Sequence, residues 1–145
     1  MIKFIIQLAL FCFVFSCINN NGGSILTERE YLYDDVTVTY IENSTATTFI
    51  KDGKPITGVV TQEFRNGFKN IWNVENGLAI KQTAYYSDGQ IRRMLEMKNG
   101  EEHGTFLMYY SDGQMRVEQF YEKGEPVGIW HQWNRNGELV ETIEH

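Results

Sequence analysis

From residue 57 onward, apolar and polar positions alternate in short runs, and Asx-Gly pairs interrupt the runs at regular intervals. Thr105-Phe-Leu-Met-Tyr-Tyr110 and Met115-Arg-Val-Glu-Gln-Phe-Tyr121 lie on the two sides of Asp112-Gly113. Period-two alternation rich in aromatic and β-branched residues reads as half-buried strand. Asn66-Gly67, Asp88-Gly89, Asp112-Gly113 and Asn136-Gly137 supply the positive φ that tight hairpin turns demand. The pattern predicts strands over 57–65, 68–75, 79–86, 90–98, 104–110, 114–122, 127–134 and 138–144, with a degenerate hairpin over 36–42 and 46–51. Leu26–Tyr33 is the one weak helical candidate.

The glycines fall on a lattice. Gly53, Gly77, Gly100 and Gly124 recur every 23 or 24 residues, and Gly67, Gly89, Gly113 and Gly137 every 22 or 24. A third register holds Gly58, Lys81, Gly104 and Gly128, and Tyr-Tyr-Ser-Asp-Gly-Gln occurs at both 85–90 and 109–114. The first register marks turns between hairpins. The third permits a bulge or a close backbone approach at a strand start. A period in this range signals stacked supersecondary units, because one hairpin cannot bury its own face. Lys81 replaces a lattice glycine in a unit one residue short, so strand register is open there.

The motif Gly-x-x-x-Gly-x-Φ-x-x-Φ-Φ-x-x-Gly-x-Φ, with Φ hydrophobic, resembles the MORN repeat variant of bacterial secreted and lipid-anchored proteins. Some of those carry the label of YwqK-type antitoxins. The resemblance covers 53–145 well and 31–52 weakly. It implies an all-β fold, an elongated single-layer antiparallel sheet of repeated β-hairpins with an aromatic-lined face. It also implies a scaffold or binding role.

The first seventeen residues differ in kind. Lys3 precedes an apolar run over residues 4–15, too short for the roughly 20 residues of a membrane span and of signal-peptide length. Val14-Phe15-Ser16-Cys17 resembles the bacterial lipobox, with Phe15 departing from its usual small or aliphatic residue. The expected organisation is a cleaved lipoprotein signal peptide over 1–16, an acylated Cys17 with a flexible linker over 17–30, and a hairpin-repeat domain over 31–145 whose first unit, 31–52, is degenerate. Ile-Asn-Asn-Asn-Gly-Gly-Ser suits such a tether. Acyl chains on Cys17 would hold the protein on a membrane at about 0.8 kcal/mol per buried CH₂. With Cys12 lost and Cys17 acylated, no thiol remains for a disulfide or a metal. Ile18, where Asp would signal inner-membrane retention, favours the outer over the inner membrane if the cell is Gram-negative, with the domain periplasmic or surface-exposed.

The formal charge of −6 excludes the basic footprint of a nucleic-acid binder and opposes adsorption of the repeats to anionic lipid. Charge is uneven. Arg65, Lys69, Lys81, Arg92, Arg93 and Lys98 stand against three acids over 65–98, whereas three basic side chains face nine acids over 99–145. No catalytic elbow, phosphate loop or metal-ligand spacing is present, and His103, His131 and His145 share no motif. We expect no catalytic residue, no metal and no cofactor.

The aromatics are the candidate functional surface. Tyr85, Tyr109 and Trp133 sit four residues before their turn glycines. Phe64, Tyr86 and Tyr110 sit one later, on the opposite face, and Phe106 and Trp130 share a third offset. One ladder is expected to be the packing spine. Tyr85, Tyr86, Tyr109, Tyr110, Trp130 and Trp133 are the expected partner-binding set. The reading is a membrane-anchored, non-enzymatic scaffold of the cell envelope that binds a protein partner in an antitoxin-like manner. The alternative is an envelope protein that binds or acts on glycans through carboxylates paired across strands.

Overall fold

A computed structural model describes residues 28–40 and 46–145; the expected leader, Cys17 and most of the linker lie outside the described residues. The chain runs through β1 (Glu30–Leu32), a 3-10 turn (Tyr33–Asp35), β2 (Thr37–Tyr40), β3 (Thr47–Lys51) and β4 (Lys54–Pro55). There follow β5 (Gly58–Glu63), β6 (Lys69–Glu75), β7 (Leu78–Tyr85), β8 (Ile91–Lys98), β9 (Glu101–Tyr109), β10 (Met115–Glu122), β11 (Glu125–Trp133) and β12 (Leu139–Glu144). From β5 to β12 each strand pairs antiparallel with the next, so the expected single open sheet of hairpins is present.

The N-terminal part departs from expectation. Of the helical candidate Leu26–Tyr33, the described residues from 28 onward hold strand at Glu30–Leu32, and the expected linker runs into it at Glu30. β1 pairs parallel with β5, with Tyr31 opposite Val60. The Val59 N–H donates to the Arg29 carbonyl at 2.8 Å. That carbonyl comes so close to Gly58 that a Cβ there would run into it. Gly58 is therefore a close-approach glycine.

The two glycine turns are physically different. At Asp52-Gly53, Asn76-Gly77, Asn99-Gly100 and Lys123-Gly124 both residues have positive φ, between 48° and 82°. These are two-residue turns of the I′ kind, whose twist matches that of the strands. At 86–90 only Gly89 has positive φ. There the Gly89 N–H donates to the Tyr86 carbonyl at 3.1 Å and the Tyr86 N–H to the Gln90 carbonyl at 2.8 Å, a three-residue loop closed by a glycine bulge. Asp88 has a different task from the one expected of it: its Oδ1 accepts the Gln90 N–H at 3.0 Å. Asp112 repeats this toward Gln114 at 3.1 Å, and Asn66 toward Phe68 at 3.2 Å.

The third register lies within strands, which is why β9 and β11 begin earlier than expected. Between the pairs Leu95–Phe106 and Met97–Glu102, β9 carries two extra residues around Gly104. β11 does the same around Gly128, between Glu118–His131 and Phe120–Val127. In β7, where Lys81 replaces the glycine, the step from Asn73–Lys81 to Val74–Ala79 adds one residue. The smaller bulge absorbs the missing residue of that unit and keeps the downstream register.

The core sits at the N-terminal end. Phe49, Ile56, Val60, Trp72, Val74 and Ala79 form one buried cluster, with Tyr31, Tyr33, Val36, Val38 and Met97 packed against it. Trp72 lies 5.4 Å from the Tyr33 ring and 5.7 Å from Phe49. β2 and β3 pair antiparallel where the degenerate hairpin was expected, and the segment before β5 also covers one face of β5–β8. Its hydrogen bonds fasten it: Phe49 N–H to Gly77 carbonyl at 2.7 Å, and Gly77 N–H to Ile56 carbonyl at 2.7 Å.

Candidate functional site

Register assigns the aromatics of β7–β11 to faces. One rung crosses all eight strands of the meander through Thr61, Ile71, Thr83, Met94, Leu107, Glu118, His131 and Thr142. Tyr85, Tyr109 and Trp133 lie two residues beyond members of this rung and share its face. The opposite face runs through Val60, Trp72, Gln82, Leu95 and Phe106, and through Arg93, Met108, Val117, Gln132 and Glu141. Tyr86, Tyr110, Tyr121 and Trp130 belong to this second face.

Covering divides the second face into halves. Over β5–β8 it is sealed by the N-terminal segment, with Val60 fully buried and Leu95 nearly so. Over β9–β12 its side chains Phe106, Met108, Val117, Tyr121 and Trp130 stay half-buried. The same apolar stripe therefore passes from a closed core to an open surface.

Six aromatics were expected to bind a partner, and the structure places them in different settings. Tyr86 and Tyr110 hold neighbouring units together. The Tyr86 hydroxyl donates to the Tyr109 carbonyl at 2.8 Å, and the Tyr110 hydroxyl to the Trp133 carbonyl at 2.9 Å. Phe68 meets Tyr86 edge-on at 5.9 Å and carries Arg92 over its ring at 5.6 Å. Tyr110 is flanked by Arg116 at 5.7 Å and Arg135 at 4.7 Å. At the equivalent positions Phe64 has no hydroxyl, and Asn134 instead caps its own turn through Glu138 and Asn136.

Tyr85 lies beneath Lys69 at 5.9 Å. Trp133 packs 5.5 Å from His131. The His131 Nδ1 stands 3.5 Å from a Glu118 carboxylate oxygen yet makes no hydrogen bond, a proximity rather than a tie. Trp130 donates its Nε1–H to the Phe120 carbonyl at 3.1 Å, spanning the β11 bulge, and packs between Tyr121 at 5.2 Å and His145 at 4.3 Å. Burial raises the Tyr121 phenol above the ordinary tyrosine range, and the Glu102 charge adds to the rise. Arg93 is lowered by burial and then by Arg92, against an opposing pull from Glu102, and its guanidinium donates to Gln82 at 2.7 Å.

A cavity of about 1010 Å³ lies away from these aromatics, between Arg29, Tyr31, Lys51, Asp52, Pro55 and Glu75. Sequence reasoning did not find it, because it needs β1 folded against β5. Among the described residues no group of three or more His, Cys, Asp or Glu is placed to hold a metal ion, and no helix is long and apolar enough to cross a membrane.

Residues 80–99 and 102–123, the β7–β8 and β9–β10 hairpins, match the family model of the MORN repeat variant. Both hairpins are MORN repeat variants. The turn hydrogen bonds of these MORN units recur in the flanking hairpins, at Gly67 to Phe64 and Gly137 to Asn134. MORN repeats serve generally as membrane- or protein-binding modules. No curated protein matches the chain. Among solved structures, a crystal structure of an S. aureus TarM mutant in complex with fondaparinux, alpha-GlcNAc-glycerol and UDP is similar at 16% identity and a TM-score of 0.24. That similarity covers 77% of this chain and 20% of the other, and at so low a score it says nothing of function.

Proposed function

We propose that this chain is a membrane-anchored, non-enzymatic MORN-type scaffold of the bacterial cell envelope that binds a protein partner on its open apolar face. The observation that carries the reading is the division of one face into halves. Over β5–β8 the chain supplies its own cover, whereas over β9–β12 Phe106, Met108, Val117, Tyr121 and Trp130 are left half-exposed. Contiguous exposed apolar surface rimmed by polar residues marks a binding site. Tyr86 and Tyr110, engaged between units, support that surface rather than form its contacts. Trp130 belongs to it, whereas Tyr85, Tyr109 and Trp133 lie on the other face and stand outside it.

The anchor in this reading is Cys17, acylated on its thiol, with the leader cleaved off after Ser16. The strand order puts β1 and β12 at opposite ends of the sheet, so an anchor before β1 would hold the open half away from the lipid. In a Gram-negative cell Ile18 would favour the outer membrane, and an antitoxin-like role would be one form of such capture.

The test is a crosslinking pull-down of full-length protein from native membranes by antibody, with Cys17→Ser in parallel. One protein recovered near stoichiometry, and lost with Cys17→Ser, supports a partner met at the membrane. Recovery of lipid alone, or of nothing, would overturn the protein-partner reading.

A further inference from the structure

The two ends of the sheet are finished differently. At the β5 end, β1 adds in parallel and occupies the edge through Val59, Val60 and Thr61. At the other end β12 pairs only with β11 among the described strands. A strand hydrogen-bonded on one side presents a row of free N–H and C=O groups. The apolar exposure is concentrated there. Six large hydrophobic residues are exposed among the described residues, and of these Ile129 (45%), Leu139 (53%), Val140 (55%) and Ile143 (40%) lie in this last hairpin. Only Leu32 and Phe64 lie elsewhere.

The charge is just as uneven. Glu138, Glu141 and Glu144 line β12 and its turn, and no Lys or Arg follows Arg135. Lying antiparallel against a second β12, the edge would set acid near acid, which is destabilising. Val140 adds a bulge, extra between the pairs Gln132–Glu141 and Trp133–Leu139, and bulges blunt an edge against indiscriminate pairing. The acids and the bulge disfavour a second copy, and they leave the Glu141–Glu144 stretch straight for a complementary strand.

We infer that the outer edge of β12 is a strand-addition site for an extended basic segment of a partner protein. Backbone hydrogen bonds along Glu141–Glu144 supply affinity. Lys or Arg opposite Glu141 and Glu144, with an apolar residue opposite Ile143, supplies selectivity. The inference rests on the protein-binding reading above and names the chemistry of the partner.

The experiment uses the full chain and three synthetic peptides: a Lys–Val peptide carrying Lys-Val-Thr-Lys to lie antiparallel against Glu141–Glu144, a Glu–Val peptide with Glu in place of both Lys, and the Lys–Val peptide N-methylated at alternate backbone positions. Amide exchange of β12 is followed by NMR. The expected result is at least tenfold slowing of alternate amides within residues 139–144 by the Lys–Val peptide alone, weakening as salt rises. Glu141→Lys with Glu144→Lys should transfer the preference to the Glu–Val peptide; both side chains are exposed. Equal binding of the N-methylated peptide, no slowing in β12, or slowing that rises with protein concentration without peptide would each overturn the proposal, the last in favour of a second copy. Slowing at β12 with no partner recovered from membranes would instead sink the partner reading and leave the edge.

Discussion

The Tyr86 hydroxyl donates to the Tyr109 backbone carbonyl at 2.8 Å, one MORN unit along the chain. Tyr110 repeats the bond to Trp133 at 2.9 Å. The second tyrosine of each Tyr-Tyr-Ser-Asp-Gly-Gln repeat therefore works as a tie between hairpins. Tyr86→Phe and Tyr110→Phe should each cost about 1 kcal/mol, the net value of one neutral hydrogen bond, measured by urea denaturation. Phe64→Tyr, at the equivalent and exposed position, should add stability of the same order. Unchanged midpoints for all three would contradict the tie.

The turn classes separate in their response to substitution. Lys123 holds φ 54° in a I′ turn where the other units have Asp or Asn. Lys123→Asn should stabilise by about 1 kcal/mol, because Asn tolerates the left-handed region that Lys resists. Gly124→Ala has open space and should cost only backbone strain, about 1–2 kcal/mol. Gly100→Ala would drive its Cβ into Ala46 and should cost clearly more. Thermal unfolding of the three variants checks the order.

The repeat body was legible in the chain because hairpin strands obey local rules: period-two alternation, Asx-Gly punctuation and a glycine lattice of fixed spacing. Even the irregular unit at Lys81 was visible as one residue missing. What stayed hidden was non-local. Nothing in Arg29–Leu32 announces a parallel strand on β5, and nothing in Phe49 says that it packs against Trp72. The aromatic offsets gave the faces correctly, but they did not reveal that Tyr86 and Tyr110 bond across units, since a hydroxyl's acceptor is a backbone atom with no sequence signature.

Phe49→Ala should be the most damaging single truncation among those considered. The side chain is fully buried in the core cluster, and its loss should cost about 3–5 kcal/mol. The segment before β5 should then loosen from the sheet, read as faster amide exchange at Val59, whose N–H bonds to Arg29. Met108→Ala on the open half should cost much less. Equal losses would mean that the second face is closed along its whole length.

Alkaline pH should weaken the fold through Tyr121. Its phenol is raised in the folded protein by burial and by Glu102, so the unfolded chain ionises first as pH climbs. Stability is unaffected below the ordinary tyrosine range and falls as pH rises through it. Tyr121→Phe should reduce that fall, followed by ultraviolet titration alongside denaturation.

Photo-crosslinking in native membranes tests the central claim most directly. A crosslinking residue is placed at Met108 on the open face, and in a second variant at Thr105, three residues away on the other face. The account predicts a discrete protein adduct from Met108 and none from Thr105. Equal adducts from both positions, or none from either, would contradict a partner-binding face.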